Sequence, residues 1–395
     1  MKYKILALGG GSGDIGRDLV KILSHDNKLI DQITVTARDL DNAQSFVNEL
    51  DDSRIVALKL DVTDQKDLRK AMDEHNLIVN MIGPFDRFAI PIIKTAIDKG
   101  INYIDICDDI DPTLEALQLN QFAKDSGIFV LLSMGWFPGT SNLRAVSLAE
   151  QMDRVEEMVI AWVGGRKAPE KIPSMGLGGT EHYFEAISGK IRSFRNGQMV
   201  KIPANQMGVQ LDFPEPLNSH PCYQMEHPET ATLPYVIPGI KNISVLGSLY
   251  PSRRNNFIRL FARFIDFKIA SVPLITKISC LLGQSERKRT LPELIGSYIS
   301  CIGEKNGQYG QLTYSSVNTK LTVTEATSQP LACAILYSAS KNKIEPGVHL
   351  PETAIKNKDI IKLGKQNKLS FITNTNENIT WSKNIISMVN NKKTL

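Results

Sequence analysis

Residues 3–23 read YKILALGGGSGDIGRDLVKIL, and this stretch decides the fold of the first part of the chain. A short apolar run predicts a buried strand, and a helix pattern follows the cluster of glycines. The glycines can be framed as G-x-G-x-x-G on Gly11, Gly13 and Gly16, or as G-x-x-G-x-x-G on Gly10, Gly13 and Gly16. Either frame predicts a tight turn between a strand and a helix.

A loop of this kind predicts a binding site for the diphosphate of a dinucleotide. Glycines let the backbone approach the diphosphate, and the start of the helix offers N–H groups and a positive dipole end to the anion. The motif alone is weak evidence, and the alternative is a glycine-rich turn without a ligand, but the flanking strand and helix agree with a site. The residues expected to hold the diphosphate are Gly10, Gly11, Ser12, Gly13, Asp14, Ile15 and Gly16.

The first part of the chain alternates strand patterns with helix patterns about six times, with short connections. This alternation predicts a parallel sheet with helices on both faces. The strands are continuous apolar runs, such as 77–82 and 128–132, which is typical of a sheet covered on both sides. We therefore predict an α/β Rossmann domain, with a doubly wound parallel sheet, over residues 1–134.

The pattern changes after Gly135, where strand-like runs are separated by turn signals. Asn-Gly pairs at 196–197 and 306–307 are typical of hairpin tips, which predicts antiparallel pairing. We predict a second, α+β domain with a mainly antiparallel sheet over residues 135–345, and a C-terminal segment over residues 346–395. The strand-like runs are 157–163, 190–194, 199–202, 298–302 and 320–324.

The end of the second predicted strand distinguishes NAD from NADP. An NAD site usually has Asp or Glu there, about 20 residues after the glycines, to bind the ribose hydroxyls. This chain has Thr36, Ala37 and Arg38, so the acid is missing and a guanidinium is present. Arg binds a 2′-phosphate through two hydrogen bonds, whereas a carboxylate repels it. The sequence favours NADP(H), and the alternative is a surface ion pair between Arg38 and Asp39 or Asp41.

Further cofactor contacts are expected where the third and fourth strands end, because these ends meet at one edge of the sheet. Asp61 and Val62 are expected beside the adenine. The segment after the fourth strand is expected to run along the cofactor toward the nicotinamide. Its assigned residues are Asn80, Ile82, Gly83 and Pro84.

Composition argues against several classes of function. Lys and Arg number 46 against 42 for Asp and Glu, without a dense basic stripe, so no nucleic-acid partner is expected. Five cysteines without a C-x-x-C pair argue against a disulfide framework and fit a reducing cytoplasm. The Pro-rich stretch 203–238 is predicted to be an ordered loop over the active-site cleft. It contains His220, Cys222 and His227, which do not match a closed zinc site, so no metal is expected.

Residues 257–282 are the most apolar later stretch of the chain, and they include several charged side chains. A membrane-spanning helix needs about 20 residues with few or no charges, so this stretch is a poor candidate for one. The pattern favours an amphipathic helix in the core or at a subunit interface. Contact with a membrane surface is the alternative.

Candidate proton donors follow the fifth predicted strand. Asp105, Cys107 and Asp109 should lie past the carboxyl end of the sheet, where substrates bind in such folds. With Asp108 they form an acidic cluster whose members can raise one another's pKa. The alternatives are a backbone hydrogen bond for Asp105 and a small buried role for Cys107. His182 is a further candidate acid on the substrate side, although a lone His is more often structural.

Several segments form a set in a fixed order along the chain. They are NMIGPF (80–85), IPII (90–93) with Ala96, GINYID (100–105), GWFPGTSN (135–142), PETATLP (228–234) and GVHLPE (347–352). Together they resemble the saccharopine dehydrogenase-like family. Related sequences often carry Tyr-x-Asp-x-x-x-Glu in the fifth unit. Here Tyr103 and Asp105 match that pattern but Asp109 replaces the Glu, which leaves the general acid open.

The resemblance implies an N-terminal Rossmann domain, a second domain that binds a small-molecule substrate and forms a homodimer, and a final segment that packs back on the first domain. It implies an NADP(H)-dependent oxidoreductase that reduces or oxidises a C–N bond of an amino-acid-derived imine or secondary amine. Two alternatives stay open. One is a trans-acting enoyl (C=C) reductase on a lipid-like intermediate, and the other is a non-catalytic NADP-binding or membrane-associated interaction protein.

Overall fold

The computed structural model describes residues 2–165, 176–204, 206, 208–283, 293–340, 344–373 and 375–388. The chain forms two compact units. Unit 1 is Met1–Leu143 with Thr324–Ile372, and unit 2 is Arg144–Val323 with Thr373–Leu395. The chain therefore leaves unit 1 after Leu143, returns to it at Thr324 and ends in unit 2.

The strands and helices are numbered in chain order. The strands are β1 (Tyr3–Leu8), β2 (Ile30–Ala37), β3 (Ile55–Lys59), β4 (Leu77–Asn80), β5 (Asn102–Asp105), β6 (Phe129–Leu131), β7 (Arg154–Gly165), β8 (Lys190–Arg195), β9 (Gln198–Pro203), β10 (Val209–Asp212), β11 (Ser219–Gln224), β12 (Asn242–Tyr250), β13 (Leu294–Lys305), β14 (Gln308–Asn318), β15 (Gly347–His349) and β16 (Thr375–Ser382). The helices are α1 (Asp14–Ser24), α2 (Leu40–Leu50), α3 (Gln65–Met72), α4 (Phe85–Lys99), α5 (Ile110–Gln118), α6 (Asn120–Asp125), α7 (Thr140–Ala149), α8 (Gly176–Ile187), α9 (Glu229–Thr232), α10 (Arg253–Asp266), α11 (Val272–Gly283), α12 (Val323–Ala339), α13 (Pro351–Ala354), α14 (Asn357–Gln366) and α15 (Ser370–Thr373).

Unit 1 contains the predicted Rossmann sheet. Its order is β15-β6-β5-β4-β1-β2-β3, and every pair is parallel. The six predicted strands follow the doubly wound order, with its reversal between β1 and β4. Apolar side chains of β1, β4, β5 and β6, such as Leu6, Ile78, Tyr103 and Val130, share one buried cluster with α4. The sequence prediction of a parallel sheet covered on both faces is confirmed.

Unit 2 contains a mixed, mostly antiparallel sheet, as predicted. Its order is β10-β11-β12-β7-β13-β14-β16, with β8 pairing β12 and β9. Only the β12–β7 pair among the described strands is parallel. Both predicted hairpin tips are confirmed, because Asn196 and Gly197 join β8 to β9, and Asn306 and Gly307 join β13 to β14. All four residues have positive φ, as the favoured two-residue turn requires.

The observed units divide the chain differently from the predicted domains. Residues 324–345 were predicted in the second domain, but α12 belongs to unit 1. The helix is buried along most of its length, and it is tied to unit 1 by hydrogen bonds from Ser328 Oγ to Asp18 and from Tyr3 Oη to Ser338 Oγ. The predicted segment 346–395 is itself divided, because β15 pairs with β6 whereas β16 pairs with β14.

Two local predictions are wrong. Residues 320–324 were predicted as a strand, but α12 begins at Val323. The Glu293 carboxylate accepts a hydrogen bond of 2.7 Å from the Val323 N–H, so it satisfies a group that a helix start leaves unused. The Pro-rich stretch 203–238 is not one loop, because it contains β10, β11 and α9.

The apolar stretch 257–282 forms two amphipathic helices, α10 and α11. Ile258, Ala262 and Ile275 on their inner faces are buried. Several large apolar side chains on the outer faces are exposed, so the helices are not core elements on both sides. No helix among the described residues is long and apolar enough to cross a membrane.

Candidate cofactor and active site

The glycine loop turns sharply at the end of β1. Gly9 has a φ of +81°, a conformation that favours glycine, and its N–H donates to Thr36 Oγ1 on β2 at 3.1 Å. The N–H of Gly13 donates back to the Gly9 carbonyl at 3.0 Å, which closes the turn. The sequence frames omitted Gly9, and its place directly after the strand was the signal for it.

Close packing explains why the loop tolerates no side chain at its central positions. A Cβ atom on Gly16 would lie 2.7 Å from the Gly10 Cα and from the Gly9 carbonyl oxygen. A Cβ on Gly11 would lie 2.7 Å from the Cβ of Ala43 on α2. The loop therefore packs tightly on α1 and α2, while Ser12, Gly13 and Asp14 are exposed at the helix start. This is the arrangement that a diphosphate site needs.

Arg38 is exposed directly after β2, whereas Thr36 and Ala37 are buried. Asp39 caps α2 by accepting from the Asp41 N–H at 3.1 Å, so its carboxylate is used within the backbone. Arg38 forms no salt bridge with the acids of the part of the chain that the structure describes, so the predicted alternative of a surface pair with Asp39 or Asp41 is wrong.

Asp61 follows β3 and forms a local turn. Its Oδ1 accepts from the N–H and hydroxyl of Thr63 at 2.9 and 2.7 Å. These hydrogen bonds, with a smaller contribution from the guanidinium of Arg38, lower the pKa of Asp61. Val62 is buried. The neighbourhood of Arg38 thus contains one exposed carboxylate, and adenine contact by Asp61 and Val62 stays a prediction.

The end of β4 lies beside the glycine loop. A Cβ on Gly9 would lie 3.2 Å from Ile82 Cγ1, so the segment after β4 borders the turn after β1. Asn80 is fully buried, and its Oδ1 accepts from the Ile82 N–H at 3.0 Å. Gly83 is exposed and Pro84 precedes the first turn of α4. Asn80 therefore shapes this edge through hydrogen bonds, while Ile82 and Gly83 lie nearer the open side.

A buried hydrogen-bond chain connects β4 to the acidic cluster. Asn80 Nδ2 donates to Tyr103 Oη at 2.9 Å, and Tyr103 Oη donates to Asp105 Oδ2 at 2.9 Å. Asp105 Oδ1 accepts from the N–H groups of Cys107 and Ser133 at 3.1 and 2.7 Å. Burial raises the pKa of Asp105 to about 6, against the opposing effect of these hydrogen bonds. The carboxylate thereby holds the loops that follow β5 and β6.

Cys107 and Asp109 differ in exposure. Cys107 is 1% exposed, and its thiol contacts the Asp109 carbonyl and the Thr113 hydroxyl at 3.7 Å. Burial raises the pKa of this thiol well above its ordinary value, so it stays protonated. Asp109 is half-buried at the start of α5, and its carbonyl accepts from Thr113 Oγ1 at 2.7 Å. Of the three predicted residues in this loop, Asp109 is the one whose side chain reaches solvent.

Sequence reasoning missed Ser133. This residue follows β6, has a φ of +60° and is 1% exposed. A non-glycine residue in this conformation is uncommon and tends to occur at functional sites. Its buried hydroxyl has no hydrogen-bond partner within the described ranges. A positive φ leaves no clear mark in the sequence, so the residue could not be singled out.

The next loop, residues 135–139, is also held tightly. The N–H of Gly135 donates to the Pro138 carbonyl at 3.0 Å, and a Cβ on Gly139 would lie 2.2 Å from the Gly135 carbonyl oxygen. Asn142 anchors the loop by accepting from the Gly139 N–H at 3.2 Å and donating to Glu352 at 3.0 Å. The ends of β1, β4, β5 and β6 therefore form one ordered edge of the parallel sheet.

Unit 2 contains the remaining predicted candidate. His182 lies half-buried on α8, and its ring centre is 6.4 Å from that of buried His227. His227 Nδ1 pairs with Glu229 Oε2 at 2.5 Å, a contact that orients the ring. His220 and Cys222 belong to β11 and are buried. The structure thus groups His182 with His227 and Glu229, and the His-Pro-Glu sequence at 227–229 was the missed signal.

Comparison with known proteins identifies the first part of the chain. Residues 5–131 match the family model described as the saccharopine dehydrogenase NADP binding domain. These residues are a saccharopine dehydrogenase NADP binding domain. The domain covers β1 to β6, and so it includes the glycine loop, Arg38 and the carboxylate cluster. The expected NADP type of the cofactor site is confirmed.

Curated relatives and a solved structure extend the comparison. A saccharopine dehydrogenase [NADP(+), L-glutamate-forming] of Schizosaccharomyces pombe is 26% identical over 50% of this chain and 43% of its own length. That of Pyricularia oryzae is 28% identical over 40% and 34%, so the chain matches less than half of either relative. Apo saccharopine dehydrogenase (L-Glu forming) from Saccharomyces cerevisiae matches 96% of this chain and 100% of its own at a TM-score of 0.71 and 15% identity. The fold is therefore shared along nearly the whole chain.

Proposed function

We propose that this protein is an NADP(H)-dependent oxidoreductase that reduces or oxidises a C–N bond of an amino-acid-derived imine or secondary amine. The observation that carries the proposal is the pairing of an NADP binding domain of saccharopine dehydrogenase type with the saccharopine dehydrogenase fold along the whole chain. The relatives named for that reaction support the choice of a C–N bond.

The residues of unit 1 fit the cofactor. The exposed start of α1 after Gly13 would hold the diphosphate, because the loop packs too closely for any side chain to block it. Arg38 would bind the 2′-phosphate with a guanidinium that no described acid pairs. NADPH, when bound, supplies the hydride. Ile82 and Gly83 would lie along the cofactor between these ends.

The protein must also supply one proton to the nitrogen. Asp105 is fully buried with three hydrogen bonds, and we assign it a positioning role for the loops after β5 and β6. Cys107 stays a neutral, enclosed thiol and fills space beside it. We propose Asp109 and His182 as the proton donors, because both side chains are partly exposed. The pairing of His227 with Glu229 would orient the ring beside His182.

Turnover assays on the purified full chain test the proposal. Consumption of NADPH is followed with mixtures of an amino acid and a carbonyl compound, and separately with enoyl thioesters. Turnover with the first panel, reduced at least about 10-fold in Asp109→Asn or His182→Asn, supports the proposal. Asp98→Asn is the matched control, because that exposed carboxylate only pairs with Arg69 on the surface.

Other outcomes overturn the proposal. Turnover of enoyl thioesters alone replaces C–N chemistry with C=C reduction. NADPH binding without turnover on either panel identifies a non-catalytic NADP-binding protein. Full activity in both variants removes Asp109 and His182 as donors.

A further inference from the structure

The helix pair α10–α11 of unit 2 presents an exposed apolar surface. Phe257 and Leu260 lie on the outer side of α10, and Leu274, Ile278 and Leu281 recur at helical spacing on α11. Phe267 and Ile269 occupy the connection and are 73% and 69% exposed. We call these seven residues the apolar hairpin surface. Isolated exposed apolar residues are ordinary, but a contiguous set on consecutive helices marks an interaction site.

The helix pair is firmly attached to unit 2. Asn255 Oδ1 accepts from the Leu249 N–H at 2.9 Å, and Arg259 stacks on the ring of Tyr223 at 4.4 Å. Ile258 and Ile275 are buried on the opposite side of the two helices. The inner faces are therefore already used for packing, and the exposure of the apolar hairpin surface is a property of the folded unit.

The charges around this surface have one sign. Arg253, Arg263, Lys268 and Lys277 are exposed. Asp266 is the only acidic residue between positions 253 and 283, and its carboxylate accepts from the Gly189 N–H. Exposed cations beside apolar side chains are the composition of helices that lie on anionic membranes.

We propose that the apolar hairpin surface docks unit 2 on an anionic lipid surface. The apolar side chains would enter the boundary between headgroups and acyl chains, and the four cations would face anionic headgroups. A second copy of the chain is a poorer occupant, because a two-fold contact places the same patch against itself. Four cations of one copy would then face four of the other, with only the hydrogen-bonded Asp266 to offset them.

Vesicle flotation tests the proposal with the full-length protein. Vesicles of phosphatidylcholine alone are compared with vesicles containing about 30% phosphatidylserine. We expect flotation with the anionic vesicles and at least about 10-fold less with the neutral ones. Lys268→Glu with Lys277→Glu, and Phe267→Ser with Leu281→Ser, should each reduce flotation about 10-fold or more.

Matched controls separate the hairpin from general stickiness. Phe122→Ser with Ile379→Ser changes exposed apolar residues elsewhere, 62% and 57% exposed, and should leave flotation unchanged. Circular dichroism checks that every variant is folded. Absence of flotation with both vesicles, or equal flotation of wild type and the two hairpin variants, overturns the proposal. A dimer in sedimentation that only the hairpin variants dissociate also overturns it in favour of a second copy. NADPH turnover is measured separately, so these outcomes do not depend on the proposed reaction.

Discussion

Asp105 Oδ1 accepts a 2.7 Å hydrogen bond from the backbone N–H of Ser133. The bond joins the residue that ends β5 to a residue after β6 that has a positive φ. One carboxylate therefore fixes a buried, unusual backbone conformation at the edge of the sheet where the candidate site lies.

Asp105→Asn should change how stability depends on pH. The folded-state pKa of about 6 lies above the ordinary value of 3.8, so folding favours the protonated acid. The stability that this group contributes is present below about pH 4 and is lost as pH rises through 6. The loss is on the order of 2–3 kcal/mol. Urea unfolding between pH 4 and 7 should show a flatter decline in the variant, with Asp98→Asn as control. Parallel curves for wild type and Asp105→Asn would contradict the assignment.

Arg38→Ala should weaken NADPH binding about 10- to 100-fold and leave NADH binding nearly unchanged, because a charge-assisted contact to the 2′-phosphate is lost. Fluorescence titration with both nucleotides measures this. Arg69→Ala removes a cation that pairs with Asp98 and is the matched control. An equal effect on both nucleotides would show that Arg38 does not read the phosphate.

Gly16→Ala should destabilise unit 1 by about 1–3 kcal/mol, because the new Cβ would lie 2.7 Å from two backbone atoms of the glycine loop. Gly83→Ala meets no atom within 4 Å and should leave stability unchanged. Urea unfolding compares the two. If Gly16→Ala is as stable as wild type, the loop does not pack as described.

Cys107 should resist thiol reagents in the folded protein. The thiolate is the reactive form, and burial keeps the pKa of Cys107 well above its ordinary value. Alkylation followed by peptide mass spectrometry should label Cys280, which is partly exposed, before Cys107. Rapid labelling of Cys107 at neutral pH would indicate an accessible thiol and would restore it as a chemical candidate.

Much of unit 1 could be predicted because its signals are local. Glycines between a strand and a helix, and apolar runs at regular intervals, predicted both the sheet and its phosphate loop. Arg38 could be singled out because its position depends only on the distance from that loop. The two hairpins of unit 2 were equally local, since Asn196-Gly197 and Asn306-Gly307 allow the backbone conformation that the turns need.

The remainder depends on partners far apart in the chain. β15 pairs with β6, and Asp105 bonds Ser133, across separations that leave no pattern in the sequence. The burial of Asp105 and the open position of Asp109 depend on how two loops pack, although the two residues are four positions apart. For the same reason His182 was singled out alone, while its neighbour His227 and the partner of that neighbour, Glu229, were visible only after folding.

The return of the chain to unit 1 at Thr324 has a consequence for synthesis. A ribosome releases residues 144–323 before it makes β15, the strand that covers the edge of β6. A nascent chain therefore carries an uncovered parallel edge for most of translation, and such edges invite aggregation. A single cut cannot separate the units, so a gene for an isolated Rossmann half would have to splice residues 324–372 directly behind residue 143.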